Sequence, residues 1–250
     1  MSTRVPVLTY HSIDESGSPS STSAALFAKQ IEVLKREEWR TIRVADAAAA
    51  IREKRALPAR TLAITFDDGY ENFAADAWPI LSSSGFGATL FVVSGRLGAR
   101  SDWAGARGIP SGLPLLDAAS VRKLAEEGVE IGCHSATHAS LAGLEPARLA
   151  EETSAARDAL AETAGRPIRA FAYPYGAIDA AARAAAVRAF DAACTTRLGF
   201  AGAGSDPHAL ERIDAFYLRN LALVGRLDGP AARLVFRLRG VARRLQNRYG

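Results

Sequence analysis

Residues 61–69 read TLAITFDDG, an apolar run of strand length that stops at Asp67, Asp68 and Gly69. A run this short, rich in β-branched and aromatic side chains and closed by turn formers, reads as a buried strand rather than a piece of helix. Outward from it the same grammar repeats. Apolar runs at 5–9, 88–93, 129–133, 169–172 and 192–195 alternate with helical patterns at 24–39, 71–84, 117–128, 146–164 and 179–190. Phe27, Ile31 and Leu34 share one helical face, as do Leu149, Thr153, Ala156 and Leu160, and Pro146 stands where a first helical turn accepts it. This alternation predicts an α/β fold, a parallel sheet covered by helices, open or closed. With 250 residues and no Pro/Gly/Ser-rich linker between apolar halves, a single domain with a large core is expected.

In parallel α/β folds, ligands gather at the carboxyl ends of the strands. Four polar clusters fall at such ends: YHS at 10–12, DDG at 67–69, HSATH at 134–138 and YPYG at 173–176. An Asp-Asp-Gly turn alone is ordinary loop chemistry, and a lone histidine beside a strand is more often a satisfied polar group than a ligand. Here, however, two of only four histidines lie four apart directly after a strand, and motif pairs in matching contexts outrank single matches. Two imidazole nitrogens and one carboxylate oxygen make a three-ligand zinc site with a position left for water, whose pKa such a site lowers toward ~7. The second carboxylate is then free to act as general base, which points to hydrolysis.

TFDDG, then H-S-x-x-H, then Y-P-Y-G, in this order and spacing, resembles the polysaccharide deacetylase superfamily, carbohydrate esterase family 4 or NodB homology domain, over about residues 5–213. The resemblance implies a distorted (β/α) barrel and metal-dependent removal of N-acetyl, less often O-acetyl or formyl, groups from sugars. It assigns Asp67 as general base and Asp68, His134 and His138 as ligands of one divalent ion, with Zn2+ favoured by the mixed nitrogen and oxygen donors. Ser135 would support the ligands from behind, and Pro174 and the Tyr175 N–H would meet the oxyanion and substrate.

Two departures from the family pattern stand out. Ala172 occupies the place of an arginine that usually orients the catalytic aspartate, leaving Arg197 or Arg212 to do that work. The usual C-terminal acid histidine is missing too, unless it is His208 in SDPHALER, which reads as an acidic loop leading into a short helix. LTYHSID at 8–14 resembles instead the first strand of the circularly permuted branch, which includes poly-N-acetylglucosamine deacetylases and carries this histidine at the chain start. His11 is then the expected acid, an imidazole being the side chain that ordinarily titrates near neutral pH.

Between strand and helix, 95–117 form a long Gly-, Pro- and Arg-rich loop. Trp103 is a candidate for stacking on a sugar face and Arg96, Arg100 and Arg107 for meeting an acidic group, although a plain surface loop fits as well. Cys133 and Cys194 read as small buried hydrophobes, Cys133 pointing away from its neighbour His134.

The start MSTRVPVLTYHS lacks the apolar core of a signal peptide, and no run approaches ~20 apolar residues, so a cytoplasmic enzyme is expected, acting on an N-acetylated sugar or lipid-linked glycan precursor. Charge is uneven: 226–250 hold seven arginines and one aspartate, a surplus of +6 against a whole-chain net of +4. This divides the chain into a catalytic domain at 1–225 and a basic amphipathic helix at 226–250. Leu234, Val235, Leu238, Val241, Ala242 and Leu245 line one face of that helix, with Arg233, Arg237, Arg244 and Arg248 around it. The pattern suits peripheral contact with the inner face of an anionic membrane, and equally a stripe packed on the barrel with solvated arginines outside. No nucleic-acid module accompanies the charge. The function expected is N-acetyl removal by a metal-dependent hydrolase. The alternatives are a deformylase or non-sugar amide hydrolase on the same scaffold, and a non-catalytic carbohydrate-binding relative.

Overall fold

Seven parallel strands close a ring among the described residues: β1 (Val7–Tyr10), β2 (Thr61–Phe66), β3 (Thr89–Val92), β4 (Glu130–Cys133), β5 (Ala170–Ala172), β6 (Ala192–Leu198) and β7 (Leu210–Asp214). Each pairs with its neighbours in sequence, and β7 closes on β1 with Ile213 beside Leu8. The computed structural model describes residues 4–103 and 112–249, with side chains except those of 241 and 243–249.

Strand alternation assigns the two sides of the ring. Leu62, Ile64 and Phe66 of β2 face the helices and join one large buried cluster with Leu8, Tyr10, Leu90, Val92, Ile131 and Phe171. Ala63, Phe91, Ala170, Ala172, Ala192 and Cys194 fill the lumen. A ring of so few strands has little interior, which the small lumen residues match. Phe91 fills the space that a side chain at Gly132 would need, since a Cβ there would lie 2.5 Å from the ring.

The helical layer consists of α1 (Ala24–Arg36), α2 (Val44–Arg52), α3 (Trp78–Ser83), α4 (Ala118–Glu126), α5 (Pro146–Ala150), α6 (Ala156–Ala164), α7 (Ala180–Ala189), α8 (Leu221–Gly225) and α9 (Pro230–Tyr249). Ser23, Asp117 and Asp179 cap α1, α4 and α7 by accepting backbone hydrogen bonds from Leu26, Ser120 and Ala182. The helix expected over 146–164 is interrupted by a π turn at Glu151–Ala155.

Three of these elements, α2, α8 and β7, are not among those expected from the sequence. α2 sends Val44, Ala48 and Ile51 into the lumen cluster, so it plugs the barrel. SDPHALER leads into β7 and not into a helix. Leu210, Arg212 and Ile213 of that strand are buried, and the buried charge of Arg212 breaks the apolar run by which a strand is recognised.

α9 also differs from expectation. Ala232, Phe236 and Gly240 pack inward, Phe236 edge-on to Phe200, while Leu234 and Leu238 remain 59% and 61% exposed. The reading in which the apolar stripe packs on the barrel is therefore corrected: Phe236 and the absent side chain of Gly240, which lets the Leu198 carbonyl approach, set the helix on its other face. Val241 and Leu245 lie outside the described side chains. Among the described residues, no helix is long and apolar enough to cross a membrane.

Candidate metal and acid–base site

The strands deliver the predicted clusters to one rim. The Asp67 amide donates to Tyr10 O at 3.0 Å, extending the β1–β2 ladder by one residue. The chain then turns through Asp68 and Gly69, with φ of 73° and 75°, so two successive carboxylates face different partners.

Asp67 is clamped by an arginine. Arg212 Nη1 and Nη2 donate to its two carboxylate oxygens, each at 2.7 Å, and both side chains are buried. Arg212 rises from β7 inside the barrel, donating also to the Thr195 carbonyl at 2.9 Å. Burial opposes ionisation of Asp67, but the charge and hydrogen bonds of Arg212, together with the neighbouring His134 and His11, outweigh it and hold the carboxyl below its ordinary value. Of the two candidate cations, Arg197 is excluded: it is exposed and donates to the Ala209 carbonyl at 2.6 Å, because its place on β6 points it away from the lumen. His11 also approaches the carboxylate, its Nε2 3.9 Å from Asp67 Oδ2. His208, the alternative acid, instead binds the Phe190 carbonyl at 2.9 Å, at the start of β6 and away from the rim.

Asp68 faces the two histidines. Its Oδ1 is 3.3 Å from His134 Nε2 and 3.1 Å from His138 Nε2. His134 Nδ1 lies 2.7 Å from the Ala172 carbonyl. A carbonyl only accepts, so that nitrogen carries the proton and Nε2 is the atom turned toward Asp68; burial opposes protonation of this ring, but the carboxylates of Asp68 and Asp67 raise its pKa above the ordinary value. Burial pushes His138 below its ordinary value, favouring the neutral imidazole. Neither Asp68 oxygen has a hydrogen-bond partner among the described residues, and an ionised carboxylate buried without one is costly. The ligand atoms of Asp68, His134 and His138 all lie within 4.8 Å of one another. A buried, unsatisfied carboxylate converging with two imidazoles fits a divalent cation.

The backbone around these groups is strained. Asp68, Ser135, His138 and Tyr175 are four of the seven described non-glycine residues with positive φ, each a cost of about 1–3 kcal/mol retained where function requires it. Ser135 Oγ accepts from the His138 amide at 2.8 Å. Tyr175 OH meets His138 Nδ1 at 2.9 Å, Pro174 is buried, and Gly176 (φ 70°) permits the turn, a Cβ there falling 2.1 Å from Thr196 Oγ1.

Glu152 was not anticipated. Carried in by the π turn, its buried carboxylate accepts from the amides of Ala136 and Thr137, both at 2.9 Å, and from Thr137 Oγ1 at 2.6 Å. It thereby pins the loop between the two histidines. The only signal in the sequence was a glutamate in a π-bulged helix, and π turns are not legible from periodicity.

Trp103 requires a correction. It is only 9% exposed, and its ring stacks on His138 with centroids 4.4 Å apart, so it packs behind a candidate ligand rather than offering a face to a sugar. Arg96 pairs with Asp102 at 3.5 Å, Arg100 bridges to Pro114 through its backbone, and Arg107 lies outside the described residues. Cys133 and Cys194 are free and buried, with both thiols pushed up by burial to about 12.

Replacing Arg212 with methionine should leave Asp67 as an uncompensated buried charge and destabilise the fold by about 3–5 kcal/mol at neutral pH, measured by denaturant unfolding. In the native chain the depressed Asp67 pKa gives stability that is present above its unfolded value near ~3.9 and lost as pH falls through the lower folded value. Without Arg212, burial raises the folded pKa instead, so the associated stability is present below ~3.9 and lost as pH rises through the folded value. The deficit of the variant should therefore shrink on acidification from neutral pH. A deficit constant with pH would show that Arg212 does not hold Asp67 ionised.

A profile of the polysaccharide deacetylase family matches residues 54–190, more than half of the chain. YxkH of Bacillus subtilis strain 168, whose name places it among polysaccharide deacetylases, is 24% identical over 211 residues, spanning 84% of this chain and 71% of its own. Among solved structures, IcaB from Ammonifex degensii superposes with a TM-score of 0.75 at 23% identity, over 90% of this chain and 98% of its own. The Streptococcus pyogenes deacetylase PplD, solved with acetate, gives 0.74 at 22% identity, over 86% and 93%. At such identities the structural likenesses speak for the fold.

Proposed function

Because this chain belongs to the polysaccharide deacetylase family, we propose that it hydrolyses the N-acetyl group of an amino sugar or glycan precursor, using one divalent ion held by Asp68, His134 and His138. The observation that carries this reading is the pairing of an unsatisfied Asp/His/His triangle with an adjacent carboxylate that an arginine keeps ionised. Zn2+ suits the two nitrogens and one oxygen. A divalent ion there supplies Lewis acidity, polarising the acetyl carbonyl and lowering the pKa of water toward ~7.

The remaining work falls to side chains. Asp67, oriented by the Arg212 fork, accepts the proton of the attacking water. The Tyr175 N–H contributes to the oxyanion, where a preorganised donor is worth about 3 kcal/mol. His11 protonates the departing amine, so that one water and one amide become acetate and a free amino group. Glu152, Ser135 and Tyr175 hold the imidazoles in place, since such supporting contacts set ligand orientation.

The Arg212 clamp disfavours a non-catalytic carbohydrate-binding relative, for which a buried ionised carboxylate beside the triangle has no use. Acetate and formate release should be followed from N-acetylglucosamine oligomers, lipid-linked N-acetyl sugars and N-formyl analogues, alongside metal analysis. Acetate released with equimolar free amine supports the reading. Formate release alone makes the enzyme a deformylase, and sugar binding with no release makes it a binding protein.

His11→Ala should leave metal content intact and lower turnover about 10²-fold or more, most severely for substrates with poorly leaving amines, while His208→Ala should change little. The opposite pattern would move the acid to the loop before β7.

A further inference from the structure

α9 runs alongside the barrel from its base to its catalytic rim. It begins beside Asp228, which pairs with Arg60 at 3.6 Å just before β2 starts. By Arg239 it has reached Tyr217, over whose ring the guanidinium lies at 5.2 Å, three residues past the end of β7. At about 1.5 Å per residue, the turns after Arg239 carry the helix roughly 15 Å further in the direction of the rim.

Its rotation is fixed by the packed face of Ala232, Phe236 and Gly240, which leaves Leu234 and Leu238 outside with exposed Arg233 and Arg237 between and beside them. Next to Tyr217, Phe216 is 45% exposed and carries Arg219 at 5.2 Å from its ring centroid. Asp228 is the last acidic residue of the chain, and seven arginines lie in 226–250.

The charge of this face bears on what can cover it. A second copy of the helix would seat leucine against leucine, but it would set arginine rows against each other with no acid in either helix, and like charges across a helix pair repel. Exposed leucines ringed by arginine match a surface that is apolar inside and negative outside. We propose that α9 docks on an anionic lipid bilayer and thereby brings the catalytic rim to the membrane surface.

The test uses the full-length, metal-loaded protein and co-sedimentation with vesicles of phosphatidylcholine alone or mixed with phosphatidylglycerol. Binding should require the anionic lipid and weaken with salt. The pair Arg233→Gln and Arg237→Gln should reduce it roughly 25-fold, at about fivefold per charge, and Leu234→Ser with Leu238→Ser roughly tenfold or more. Both variants should keep the circular dichroism spectrum and metal content of the parent, since neither pair is buried. Three results would overturn the proposal: no binding to either vesicle by the folded full chain, equal binding to both, or a dimer that the leucine pair converts to a monomer. Because sedimentation does not depend on turnover, the outcome stands whether or not the deacetylase reading holds.

Discussion

Asp67→Asn is expected to retain its metal and lose turnover by about 10²-fold or more. The reasoning rests on the division of labour between neighbouring carboxylates. Asp68 faces His134 and His138, whereas both oxygens of Asp67 are taken by Arg212. Asparagine preserves the shape of Asp67 and one acceptor for the guanidinium but has no basic oxygen for a proton, so the loss should appear in kcat with KM nearly unchanged. Arg212 then loses its buried counter-charge, and the unfolding midpoint must be measured in parallel. A folded, metal-loaded variant with little turnover assigns the defect to proton transfer. If Asp67→Asn loses metal while Asp68→Asn keeps it, the two roles are reversed.

The legibility of this site varied with the kind of signal. Residues that end strands announced themselves: Asp67, Asp68, His134 and His138 each follow an apolar run, and parallel β/α connectivity places such ends on one rim. Arg212 was one of two candidates, and only ring closure could choose it. β7 lies next to β1 and close to β2, and nothing local in LERID marks Arg212 as facing the lumen. Glu152 depends on a π turn, and Trp103 on how a long loop folds back over His138. The positive φ at Asp68, Ser135, His138 and Tyr175 belongs to tight turns whose conformation these residue types do not reveal. In α9 the amphipathic pattern was visible, but which face packs was decided by Phe236 and Gly240, a pairing that makes sense only once the Leu198 carbonyl and Phe200 are in place.

His134→Ala and His138→Ala should each abolish stoichiometric metal binding and, with it, essentially all turnover. Each removes one of three protein ligands and leaves Asp68 with a single imidazole, too few donors to hold a divalent ion against water. The supporting contacts predict a graded series below this. Tyr175→Phe removes the hydroxyl that meets His138 Nδ1, and Glu152→Gln weakens the anchor of the intervening loop; each should lower metal affinity by about 10–100-fold without abolishing binding. Affinity is best read by competition with a chelator, which separates it from catalysis. Chelation should also lower the thermal midpoint of the parent, because an ion that binds only the folded state stabilises it by about 2.7 kcal/mol at a hundred times its Kd. The midpoint of His138→Ala should then no longer respond to chelator, since the triangle that couples metal to folding has been opened. Stoichiometric metal persisting in both histidine variants would place the ion elsewhere. The buried, unpartnered Asp68 carboxylate would then need another counter-charge, and no other group of three or more potential metal ligands occurs among the described residues.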